Sequence, residues 1–122
     1  MPVLDQQVDA IVSSYALHHL TDSDKLLALA EMDRTLKIDG QICIADLMFA
    51  NENRRSHVIN HFRDTGNHEA IDAIEDEYYA NRQDLVQWLI EHGYQVQTYA
   101  LNDILSIIYA VKRADLSSSL FC

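Results

Sequence analysis

The sequence predicts an α/β fold, a sheet flanked by helices, from three observations. Apolar runs of strand character alternate with helix-like stretches along the chain. Residues 41–49, Gln-Ile-Cys-Ile-Ala-Asp-Leu-Met-Phe, form a nearly continuous apolar run with a single acid, as a strand covered on both faces requires. Near the end, two strand-like runs are joined by only Leu101-Asn102-Asp103, a link short enough to pair them antiparallel.

The elements follow in order. Residues 8–13 hold Val8, Ile11 and Val12 and read as a buried strand that runs into the turn Ser14-Tyr15-Ala16. A helix is expected over 22–37, with Leu26, Leu27, Leu29, Ala30 and Leu36 as its apolar residues. Thr21 or Asp22 can cap its free amides, and Gly40 stands where a helix stop or tight turn belongs. The strand 41–49 comes next. Residues 50–81 carry no strand signal and read as a helical insert, with Val58, Ile59 and Phe62 on one helix and Ile71, Ile74 and Tyr78 on another. Gly66-Asn67 separates the two as a turn. A helix over 81–92 has Leu85, Trp88 and Leu89 on one side and stops at Gly93; Trp88 is read as its anchor to the sheet. Strands over 94–100 and 104–111 follow, and the Ser-rich residues 114–122 read as a tail. Residues 1–113 are expected to form one domain, since no repeat or linker interrupts them.

Composition narrows the function. Nine Lys and Arg stand against 19 Asp and Glu, a net charge of −10. Such a chain is no general binder of nucleic acid or anionic membrane, because phosphate backbones attract basic surfaces. Of the two cysteines, Cys43 lies in an apolar strand and Cys122 ends the chain. They form no CxxC pair, which fits a reducing cytoplasm.

One ordered set of motifs resembles a known family. Asp9-Ala10-Ile11-Val12-Ser13-Ser14-Tyr15-Ala16-Leu17-His18-His19-Leu20, then a helix, then Leu36-Lys37-Ile38-Asp39-Gly40 before a strand, resembles the Rossmann-like class I S-adenosylmethionine (AdoMet)-dependent methyltransferases. Ala45-Asp46-Leu47-Met48-Phe49, Glu77-Tyr78-Tyr79 and the ending 107–113 resemble the YrrT-like bacterial members in particular. The resemblance implies the C-terminal half of that fold: three parallel strands plus one antiparallel, in the family order 4-5-7-6. It also implies that the family's glycine-rich cofactor loop and ribose-binding acid would lie upstream of Met1. No Gly-x-Gly occurs, the glycines being Gly40, Gly66 and Gly93.

By the same resemblance, Ser13, Ser14, Tyr15, Ala16 and His19 would line the methionine end of the cofactor pocket. Asp46 and Met48 would face a small-molecule substrate, and 50–81 would serve as a substrate lid. No catalytic residue is assigned. The bland reading stands beside each of these. His18 and His19 are adjacent, so they form a poor metal pair, and one of them suits a hydrogen bond at the helix start. Tyr15 suits packing at the strand end as well as a site near the methyl group. His57 and His61, four apart, share a helix face; zinc needs further ligands, so a solvated face is expected and no metal. The acids Glu69, Asp72, Glu75, Asp76 and Glu77 read as a solvated face rather than a site for a cation.

The expected function is thus a partial AdoMet-dependent methyltransferase acting on a small molecule in its full-length form, with weak or no AdoMet binding by this chain alone. The alternative is a non-catalytic interaction or oligomerisation domain derived from that fold. The first strand would have lost a neighbour, so a homodimer or a missing N-terminal half is the expected partner.

Overall fold

The computed structural model describes residues 5–76, 79–102 and 104–113. Strand β1 (Val8–Ser14) leads through a 3-10 turn (Leu17–His19) to helix α1 (Asp22–Thr35) and strand β2 (Leu36–Phe49). Helices α2 (Glu52–Asp64) and α3 (His68–Asp76) follow, then the two-residue β3 (Ala80–Asn81), α4 (Arg82–Glu91), β4 (Tyr94–Ala100) and β5 (Leu105–Lys112).

The strands lie side by side in the order β1-β2-β5-β4. β1 and β2 are parallel, joined by the α1 crossover that parallel neighbours require. β5 is antiparallel to both β2 and β4, so β4 points the same way as β1 and β2. β3 pairs parallel with Met48 and Phe49 at the end of β2. Two residues are too few for a periodic signal, which is why sequence reading places no strand there.

β2 is the centre. Ile42, Ile44, Asp46 and Met48 alternate onto one face and are all buried. Leu29 of α1, Leu85 and Leu89 of α4, and Tyr94, Ile108 and Ala110 of the hairpin pack with the apolar ones into one core. Each such Leu or Ile stabilises the fold by roughly 2 kcal/mol. A second, smaller cluster of Phe49, Val58 and Ile74 fixes α2 and α3 beyond the end of β2.

Several boundaries and faces differ from the sequence reading. α1 stops at Thr35, capped at its start by Thr21, whose hydroxyl accepts from the Asp24 amide. Leu36 already belongs to β2, and Gly40 is a buried strand residue rather than a helix stop. Two residue steps along β1, Val8 to Ala10, are matched by five along β2, Leu36 to Gln41. The extra residues turn through Asp39 in the left-handed region (φ 68°). A Cβ at Gly40 would lie 2.6 Å from Leu36 Cγ and 2.7 Å from the Lys37 carbonyl oxygen, so only glycine fits this bulge.

The buried face of α1 also departs from the expected one. Leu29 is buried and Ala28 and Met32 pack beside it, but Leu26 and Leu27 are exposed. Lys25 takes a core position instead, because its ammonium reaches the Leu20 carbonyl at 2.6 Å while its alkyl stem packs. β4 spans 94–100 as expected, and β5 begins one residue later than read. Expectations for Glu77, Tyr78 and the tail 114–122 fall outside the described residues.

A polar clasp closes the far end of the core. The Tyr94 hydroxyl donates to Asp33 Oδ1 at 2.8 Å, and Lys112 Nζ donates to the Asp33 and Leu36 carbonyls at 2.7 and 2.9 Å. Lys112 thereby satisfies carbonyls at the end of α1, where a cation is favoured. Burial first, and the Asp33 carboxylate second, push the Tyr94 phenol well above the usual tyrosine range.

Tyr94→Phe is therefore expected to lower stability by about 1 kcal/mol in urea melts near neutral pH. A phenol whose folded pKa is raised contributes stability below its unfolded value that is lost as pH rises. The wild type should thus lose stability above about pH 10, where the unfolded phenol ionises and the buried one does not. The variant should show a shallower fall, and equal slopes for the two proteins would contradict this account.

Candidate functional site

The carboxyl ends of β1 and β2 lie together because the strands are parallel: Ser13 pairs with Ile44 and Ser14 with Ala45. The Tyr15 amide then donates to the Ala45 carbonyl at 2.9 Å, which carries the turn directly past Asp46. Ligands of open α/β sheets bind beyond this end of the strands.

Asp46 is 1% exposed. One carboxylate oxygen accepts the Leu17 amide at 2.7 Å. The other accepts the Leu47 amide at 2.8 Å and meets His18 Nδ1 at 2.7 Å. An ionised carboxylate can only accept, so His18 Nδ1 donates to it. Three donors around one buried carboxylate offset the cost of taking its charge out of water. The Tyr79 ring sits edge-on to His18 at 6.0 Å, and the His19 ring centroid lies 4.0 Å from that of His18.

Lys25 lies beneath this turn, 2% exposed. Its amine also stands 3.7 Å from Asp22. Burial lowers the ammonium pKa below the lysine range, while the charges of Asp22 and Asp46 pull the other way.

The sequence-derived residues divide into two groups. Ser14, Tyr15, Ala16 and His19 are exposed at the strand ends, and Ser13 is half-buried beside them. Tyr15 adopts a left-handed backbone (φ 55°), at a cost of roughly 1 kcal/mol for a non-glycine residue. Asp46 and Met48 instead point into the covered face: Asp46 is spent on its three donors, and Met48, 1% exposed, is part of the core. His18 is the member of the pair that meets Asp46, and the buried Lys25 carries no sequence signal of its own. An acid five residues into an apolar strand is the one sequence signal for such a buried acceptor.

Asp46→Ala would leave the Leu17 and Leu47 amides and the His18 ring without their acceptor. The expected loss is about 3 kcal/mol in denaturant unfolding. Asp46→Asn keeps an acceptor oxygen and should cost about half as much. Equal stability of the alanine variant and the wild type would show that the carboxylate organises nothing.

A methyltransferase domain family model matches residues 1–44. An uncharacterized methyltransferase of Bacillus pumilus is 37% identical over 105 residues, 86% of this chain and 49% of the relative. The uncharacterized methyltransferase YrrT of Bacillus subtilis is 34% identical over 107 residues, 88% of this chain and 50% of the relative. The chain thus spans about half the length of the curated relatives it matches. Among solved structures, the S-adenosylmethionine-dependent methyltransferase SibL superposes with a TM-score of 0.66 at 12% identity, over 93% of this chain and 33% of that one. YcgJ of Bacillus subtilis superposes at 0.59 with 18% identity, over 94% of this chain and 68% of that one; at such identities the likeness is one of fold. By sequence this chain is similar to uncharacterized bacterial methyltransferases such as YrrT over about half their length, and its fold is that seen in S-adenosylmethionine-dependent methyltransferase structures.

Proposed function

We propose that this chain is the acceptor-side half of an AdoMet-dependent methyltransferase that modifies a small molecule. The observation that carries the reading is the turn at the carboxyl ends of two parallel strands, clasped by Asp46 and exposing Ser14, Tyr15, Ala16 and His19. The order β1-β2-β5-β4, with β5 reversed, supports equating these strands with numbers four, five, seven and six of the family sheet. The exposed turn fits one wall of a cofactor site. The absence of any Gly-x-Gly from the 122 residues leaves the opposite wall to the half that this chain does not match in its relatives.

AdoMet, when bound, supplies an activated methyl group together with its leaving group. The protein's task is then alignment and, for a protonated acceptor, removal of a proton. Ser13, Ser14, Tyr15, Ala16 and His19 would place the methionine end. Asp46 acts as a positioning residue, holding His18 through Nδ1 and fixing the turn through Leu17. No covalent nucleophile is required.

A second reading, an interaction domain, is favoured by one feature. Among the described residues the outer edge of β1 has no partner strand, and Val12 there is 77% exposed. An apolar open edge invites association. On this reading the chain forms a homodimer.

Calorimetric titration of the chain with AdoMet is expected to show no saturable binding in the micromolar range. A fusion to the unmatched half of the Bacillus pumilus relative should bind it with micromolar affinity. Tight binding by the chain alone would overturn the half-site reading, and a folded fusion that binds nothing would remove its support.

Sedimentation velocity across a concentration series is expected to show self-association that Val12→Lys abolishes. Val12 suits this probe better than Ile11, which packs against the core. A monomer at every concentration would remove the interaction-domain reading.

A further inference from the structure

The cleft between α2 and the β4–β5 turn is lined by His57, Val58, His61, Phe62, Asn102 and Ile104, with a volume of about 440 Å³. That volume is within the range of small-molecule sites, roughly 300–1,000 Å³. It lies at the carboxyl end of the strands, since β2 and β4 both finish there and the Ile104 carbonyl accepts the Met48 amide at 2.9 Å. An aromatic partition joins it to the Asp46 site. Phe49, which packs with Val58, lies 5.8 Å from the Tyr79 ring, and Tyr79 lies 6.0 Å from His18.

The described lining of this cleft differs in charge from that of the cleft between α1 and α4. The chain carries 19 acids and a net charge of −10, yet no carboxylate is among the described residues lining the cleft. The cleft between α1 and α4, by contrast, is lined by Asp22, Asp84 and Glu91. α2 itself holds Arg54, Arg55 and Arg63 against Glu52 and Asp64, a small positive excess in an acidic chain. His57 and His61 stand one turn apart, both exposed, above an apolar wall of Val58, Phe62 and Ile104.

We propose that this cleft is the acceptor pocket and takes a small amphiphilic anion, its apolar body against Phe62 and Ile104 and its carboxylate or phosphate on the imidazoles of His57 and His61. Each imidazole offers an N–H donor in either protonation state, and hydrogen bonds to a charged acceptor are the stronger kind. The assignment of the pocket to the acceptor rests on the methyltransferase reading. Binding of the anion does not, and the test separates the two.

The test follows backbone amide and histidine resonances of the whole chain during titration with hexanoate, hexyl phosphate and the neutral 1-hexanol. At least one anion should shift His57, His61 and Asn102 saturably, with 1-hexanol binding about tenfold more weakly. The double variant His57→Gln, His61→Gln should weaken the anion by a similar factor, while His68→Gln, an exposed control on α3, should not. Because both cleft histidines are exposed, unchanged resonances in β2 and β5 will certify the fold of the variant. Hexanol binding as tightly as the anions, an unaffected double variant, or no saturable shift with either anion would overturn the proposal. None of these outcomes depends on AdoMet or turnover, so failure here leaves the methyltransferase reading standing, and failure of that reading leaves anion binding standing.

Discussion

The carboxylate of Asp46 is the interaction on which the rest of the site depends. It lies in the central strand, at the point where β1 stops pairing, and it draws in three donors: the Leu17 and Leu47 amides and the His18 ring. A buried charge with fewer partners would be costly, since water is no longer there to solvate it. That requirement fixes the path of the chain after β1. Leu17 and His18 must turn inward, and their neighbours Tyr15, Ala16 and His19 are left facing out. One buried acid thus decides which residues the site can present.

The same turn explains an otherwise odd choice in α1. The Leu20 carbonyl, left free at the end of the 3-10 turn, is satisfied by the Lys25 amine. A buried ammonium needs an acceptor and a nearby opposite charge, and Leu20 and Asp22 provide both. Its place in the core rotates the helix so that Leu29 and Met32 meet the sheet while Leu26 and Leu27 face out. Polar satisfaction at the strand ends, rather than the maximum of apolar burial, sets the orientation of α1.

The sheet has two unequal faces. The one bearing Ile42, Ile44 and Met48 is closed by α1, α4 and the hairpin residues. On the other, Cys43, Ala45 and Leu47 are only half-buried, and the exposed Val12 pairs with Cys43. A strand as apolar as β2 reads in sequence as covered on both sides, and here it is covered fully on one.

The sequence by itself determined the sequence-local features: the alternation of strands and helices, the hairpin around 101–104, the helical insert and the run of motifs that resemble methyltransferases. These depend on periodicity, turn residues and order, all of which are local. Only the tertiary structure decided that Asp46 faces inward, that His18 rather than His19 is its partner, and that Met48 lies in the core. It also decided that Gly40 relieves a bulge instead of ending a helix, and that Lys25 displaces leucines from the buried face. Each of those outcomes is a contact between residues that sit on different elements, or a choice between two faces of one element. Local patterns name the candidates for such contacts, but the pairing that selects among them exists only once β1, α1 and β2 have come together.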